Sequence, residues 1–181
     1  MRVFAIDPGY TSSAYVLLEC DDVAVTGPPR APKVLEHDYV DTETMIARIL
    51  AFARDQRIQF AIEQIESMGM AVGREVLETV RISGRFEQAW VGAAAQHWVG
   101  GCNRPARLIT RRAVKLTLCG SSRAKDTNVR QALIDRYGTT RAAAVGNKKT
   151  PGPLYGISGH KWAALAVGVV GVTFLQQLAK E

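Results

Sequence analysis

Arg2-Val3-Phe4-Ala5-Ile6-Asp7-Pro8-Gly9 is the stretch on which the fold of this chain turns. It is mostly apolar up to Ile6, meets a carboxylate at Asp7 and then a Pro-Gly turn, so it reads as a buried strand that stops at an acid. A carboxylate at a strand end beside a tight turn projects into open space rather than into core. Asp before Pro-Gly is also common in ordinary turns, so Asp7 alone decides nothing.

Working outward, Ser13 to Glu19 reads as a second strand. After the break at Gly27-Pro28-Pro29, Lys33 to Val40 reads as a third. The three are short-linked, and an antiparallel meander is their simplest pairing. Asp41 and Thr42 offer an N-cap, and Met45, Ile46, Ile49, Leu50 and Phe52 follow at helical spacing. Ile58 to Gln64 is a fourth strand, apolar enough to be buried on both faces. Met70 to Trp98 has a helical pattern weakened by Gly84 and Gly92. Ala106 to Ile109 reads as a fifth strand, and Thr110 caps a helix ending near Gly120. Thr127 to Tyr137 is another helix, Gly138 to Ser158 a loop rich in Gly, Pro and Lys, and His160 to Leu178 the last helix. Three strands, then alternating helix and strand, predict one α/β domain over residues 1–181: a five-stranded mixed sheet flanked by helices.

The fourth strand carries the second acid. In Phe60-Ala61-Ile62-Glu63-Gln64 a charge sits inside an apolar run, where burial without a partner is costly. Glu63 is either paired with an arginine or a metal ligand. Two isolated carboxylates at the ends of apolar strands favour the metal. His160 and Lys161 open an otherwise apolar helix, and a first-turn imidazole could face the same ions; a surface histidine at a helix end is the plainer reading. Oxygen ligands with one imidazole suit Mg²⁺ or Mn²⁺. Two such ions roughly 3.5–4 Å apart would hold a phosphodiester between attacking and leaving oxygens.

The charge is unevenly spread. Residues 1–99 hold 9 Lys and Arg against 14 Asp and Glu, whereas residues 100–181 hold 14 against 3. A half carrying +11 points to a polyanion such as nucleic acid, or merely to solubility. Cys20, Cys102 and Cys119 are odd in number and widely spaced, with no C-x-x-C, and read as reduced thiols of a cytoplasmic protein. Asp7 interrupts the apolar start, so no signal peptide is expected. The apolar run Trp162 to Leu175 is expected to be a buried helix, being short for a membrane span.

Taken together these stretches resemble the RuvC family of Holliday-junction resolvases, crossover junction endodeoxyribonucleases of the RNase H-like superfamily. Phe4-Ala5-Ile6-Asp7-Pro8-Gly9 resembles the family's first motif, Ile-Asp-Pro-Gly. Phe60-Ala61-Ile62-Glu63-Gln64 resembles its second, with a catalytic Glu. Ala124-Lys125-Asp126 resembles a basic segment that contacts DNA backbone. Gly159-His160-Lys161-Trp162-Ala163-Ala164-Leu165-Ala166 aligns with Asp/His-x-x-Asp-Ala-Leu-Ala. The resemblance implies an RNase H-like fold, Mg²⁺- or Mn²⁺-dependent nicking of four-way junction or other branched DNA, and a homodimer, for which Met70 to Trp98 is the expected interface.

Two departures qualify it. The family has an aspartate where this chain has Ala163, one helical turn from His160. With Asp7, Glu63 and His160 the remaining ligands, either an inactivated variant or a naturally impaired protein is expected; the otherwise intact motif favours an introduced substitution. The family's aromatic after the Glu is absent, and Met68 or Met70 could wedge between bases or pack in a core. Candidate DNA contacts are Arg111, Arg112, Lys115, Arg123, Lys125, Arg130, Lys148 and Lys149. Rival readings are an actin-like or sugar-kinase ATPase, for which the chain is short and lacks G-x-G-x-x-G; a nuclease acting on other branched or hybrid substrates; and a non-catalytic junction-binding protein.

Overall fold

The first apolar run forms β1 (Arg2–Asp7), followed by β2 (Ser12–Glu19), β3 (Lys33–Asp41), α1 (Thr42–Phe52), β4 (Ile58–Gln64), α2 (Arg74–Gln96), β5 (Arg107–Thr110), α3 (Arg111–Cys119), α4 (Asp126–Tyr137), α5 (Arg141–Ala144) and α6 (Lys161–Leu178). This computed structural model describes residues 1–20, 31–66, 69, 71–96 and 104–178. The strands make a five-stranded sheet in the order β3-β2-β1-β4-β5. β1 and β2 pair antiparallel, as do β2 and β3, which gives the expected meander; β4 joins β1 in parallel and β5 joins β4 in parallel. This is the mixed, helix-flanked sheet of the RNase H-like fold.

Side chains alternate across the sheet and build two cores. Val3, Ala5, Val16, Leu18, Ala61 and Ile109 pack with α3, α4 and α6 on one face. Phe4, Ile6, Tyr15, Phe60 and Ile62 pack with α1 and α2 on the other. α6 approaches its face closely: a Cβ on Gly168 would lie 2.7 Å from Leu18 Cδ1 and 3.2 Å from Ala5 Cβ. α6 is in fact long and apolar enough to cross a membrane by length and composition. Its burial against β1 and β2, with ten residues from Trp162 to Val172 inside, makes it the core helix.

Several boundaries follow local chemistry. The Asp41 side chain accepts from the amides of Glu43 and Thr44 and starts α1. The Thr110 side chain accepts from the Ala113 amide and starts α3, which ends at Gly120 in the left-handed region (φ 68°). The expected helix over Met70 to Trp98 is shorter, Arg74–Gln96, and Met70 and Trp98 lie outside the described residues. Trp90 is not at an interface: it is fully buried, stacks on Phe60 at 5.0 Å, and donates its indole N–H to the Arg104 carbonyl. The Gly138 to Ser158 stretch is not all loop, since Arg141–Ala144 form one helical turn capped by Thr140.

Candidate active site at the ends of the parallel strands

Asp7 is two residues on from Ala5 and shares its face of the sheet, as Glu63 shares that of Ala61. Because β1 and β4 run parallel, with Ala5 opposite Ala61 and Ile6 opposite Ile62, both carboxylates emerge side by side at the strands' C-terminal ends. That is where open α/β sheets take their ligands. The turn after Asp7 is close-packed: a Cβ on Gly9 would sit 2.3 Å from the Ser12 carbonyl oxygen, and the Gly9 amide donates to Ser13 Oγ. α6 starts over this end, with the His160 carbonyl accepting from the amides of Ala163 and Ala164.

The result is a cavity of about 520 Å³ lined by Asp7, Glu63, Arg111, Asp126, His160 and Ala163, with Thr127, Val129, Arg130, Gly159 and Trp162. His160 Nδ1 lies 3.4 Å from Asp7 Oδ2, and its ring stacks on Tyr39 at 5.5 Å and 11°. Glu63 is not paired off with an arginine at a distance from Asp7; the two carboxyls line one cavity and each shifts the other's titration. Burial pushes Glu63 up to about 8, the neighbouring Asp7 charge adds to this, and Arg111 opposes it. Burial likewise raises Asp7 to about 6, with Glu63 and the charge of Arg111 holding it lower. The two carboxyls titrate as a pair, both held above the usual carboxylate range by burial.

Among the described residues no three His, Cys, Asp or Glu side chains close to a metal-binding arrangement. Asp7, Glu63 and His160 line one cavity without forming a ready three-ligand cage, and Ala163 presents only a methyl group one turn from His160. The donor chemistry of adjoining Asp7 and Glu63, both oxygen ligands, fits a hard divalent ion.

Of the expected DNA contacts, Arg111 and Arg130 are half-buried in the cavity wall, and Lys115 is half-buried beside it. Arg130 stacks over Trp162 at 4.7 Å. Arg112, Arg123, Lys125, Lys148 and Lys149 are exposed. Met68 and Met70 lie outside the described residues. Tyr39 and Asp126 were not singled out as site residues. Arg111 Nη2 reaches Asp126 Oδ1 at 2.7 Å, and Lys115 Nζ lies 4.0 Å from the same oxygen. Asp126 is 72% exposed, so these pairs contribute at most about 1 kcal/mol to the fold. The available signal was its rarity, since it is one of three acids in the basic half.

No protein-family model matches the chain, and no curated protein matches it. Solved structures do. A Thermus thermophilus RuvC structure superposes with a TM-score of 0.63 at 18% identity, covering 98% of this chain and 96% of that one. T. thermophilus RuvC in complex with Holliday junction substrate gives 0.66 at 19% identity over the same shares. The chain has a RuvC-like fold.

The raised titration of Asp7 and Glu63 has a consequence for stability. Both carboxyls titrate higher folded than their ordinary values of about 4. Between there and about 8 the folded state holds more protons than the unfolded one, so the pair's contribution weakens as pH rises through that window. Glu63→Gln removes the charge and keeps a donor. Its melting temperature should equal the parent's near pH 4 and exceed it at pH 8; a variant less stable than the parent at pH 8 would refute the raised titration of Glu63.

Proposed function

We propose that this chain is a structure-specific DNA-binding protein of the junction-resolvase type, a divalent-ion-dependent endonuclease in design whose Ala163 leaves it able to bind four-way junctions and nearly unable to cut them. The observation that carries the reading is the gathering of Asp7, Glu63, His160 and position 163 around one cavity at the strand ends. The likeness in fold to a RuvC that has been seen with a Holliday junction supports four-way DNA as the ligand.

Asp7 and Glu63 would hold a Mg²⁺ or Mn²⁺ ion, and such an ion, when bound, supplies charge and Lewis acidity to the phosphodiester. Glu63 must give up its proton before the pair can act as an anionic clamp. His160 sits at the cavity rim, held between Asp7 and the Tyr39 ring. Arg130, stacked on Trp162, and the exposed Arg112, Arg123, Lys125, Lys148 and Lys149 would take DNA phosphates, which makes affinity fall with salt. Met68 and Met70 stay candidates for the junction centre. The purely non-catalytic reading draws on the same missing ligand at Ala163.

The two readings part on one substitution. Ala163→Asp restores a carboxylate one turn from His160 and should give metal-dependent nicking of a labelled four-way junction at least about a hundredfold faster than the parent, since misplacement of about 1 Å costs that much. Tight binding without cleavage by Ala163→Asp would favour the non-catalytic reading. Equal cleavage of flap, duplex and hybrid substrates would displace the junction as substrate.

We also propose a homodimer, because a junction offers two strands to cut symmetrically. Val76, Leu77 and Val80 expose an apolar row on the first turns of α2, with Leu77 60% exposed, while Phe86, Trp90 and Ala93 further along turn into the sheet's own core. Leu77→Glu should shift light scattering from dimer to monomer. A parent monomeric at micromolar concentration, with and without junction DNA, would contradict this.

A further inference from the structure

Arg111 is an odd residue to find where it is. It opens α3, where the helix dipole is positive and acids are favoured, yet Arg111 and Arg112 occupy the first two positions with no acid in that turn. What offsets this is the cavity. β5 pairs in parallel with β4, with Glu63 opposite Ile109 and Gln64 opposite Thr110, so Arg111 follows directly at the edge where Asp7 and Glu63 emerge. Its half-buried guanidinium lines the cavity with those two acids and with Asp126. Arg112, one residue on, is exposed and outside the cavity.

From this juxtaposition we infer that Arg111 is a resident cation of the cavity, competing with a divalent ion for the Asp7–Glu63 carboxylates. The inference rests on the reading that these two carboxylates receive such an ion. Two carboxylates set side by side in one cavity draw positive charge towards them. A fixed guanidinium supplies part of it, and in doing so lowers the attraction left for Mg²⁺ or Mn²⁺. Ala163 and Arg111 then act in the same direction, one by removing a negative charge from the cavity wall and the other by adding a positive one.

The test is Mn²⁺ binding to the DNA-free protein, followed by electron paramagnetic resonance. Arg111→Gln should tighten Mn²⁺ binding about tenfold, the size of effect expected from deleting one charge at this range in a partly buried site. Arg111→Met, which keeps the apolar stem, should do the same. Arg111→Lys and Arg112→Gln should stay within about twofold of the parent. Adding Glu63→Gln to Arg111→Gln should abolish the gain. Unchanged or weaker binding in both Arg111→Gln and Arg111→Met overturns the inference, as does an equal gain in Arg112→Gln, which would mark a bulk charge effect. Mn²⁺ binding that ignores Glu63→Gln overturns the metal reading beneath it. Tighter Mn²⁺ binding in a protein that fails to bind junctions leaves the inference standing and removes the proposed function.

Discussion

Two carboxyl groups forced side by side by parallel strand pairing are the constraint around which the rest of this molecule is arranged. Ala5 opposite Ala61 and Ile6 opposite Ile62 leave no freedom in where Asp7 and Glu63 emerge. A shift of one residue in either strand would turn its acid to the other face, among Phe4, Phe60 and Trp90, where a carboxyl finds no partner. The apolar core that holds the register therefore also holds the site. The cost is concentrated in one place, where burial of two neighbouring acids pushes both above the usual carboxylate range.

The surroundings follow from that concentration of negative charge. α6 brings His160 and Ala163 over the strand ends because Gly168 and Gly171 let it lie close on the sheet. α3 and α4 bring Arg111, Lys115, Asp126 and Arg130 to the adjoining wall. The acidic and basic halves of the chain thus meet at the cavity. The basic side faces the position a DNA backbone would take under the proposed function, while the carboxyls lie deeper. Under the proposed function position 163 is the gap in this arrangement. The fold tolerates Ala there because alanine is a good helix former.

Much of this was legible in the sequence, for reasons particular residues make plain. Two-sided burial in Arg2–Asp7 and Ile58–Gln64 comes from apolar runs bounded by turns. The caps at Asp41 and Thr110 and the stop at Gly120 are local chemistry that any reader of the chain meets in order. Asp7 and Glu63 stood out because charge is conspicuous against apolar neighbours. What escaped notice depends on contacts between elements distant in sequence. Tyr39 reads as an ordinary strand residue until α6 sets His160 against its ring. Asp126 reads as a helix-start acid until α3 places Arg111 beside it. Trp90 fits an apolar helix stripe and was assigned to an interface, but Phe60 and the Arg104 carbonyl claim it inside the fold. Arg141–Ala144 has too few residues to show any periodicity.

The most direct measurement is the anomalous difference map of a crystal of this chain soaked in Mn²⁺. A Mn²⁺ peak is expected at Asp7 and Glu63, beneath the start of α6, and no peak beside Ala163. A crystal saturated with Mn²⁺ that shows no peak at Asp7 and Glu63 would contradict the metal reading of this pair.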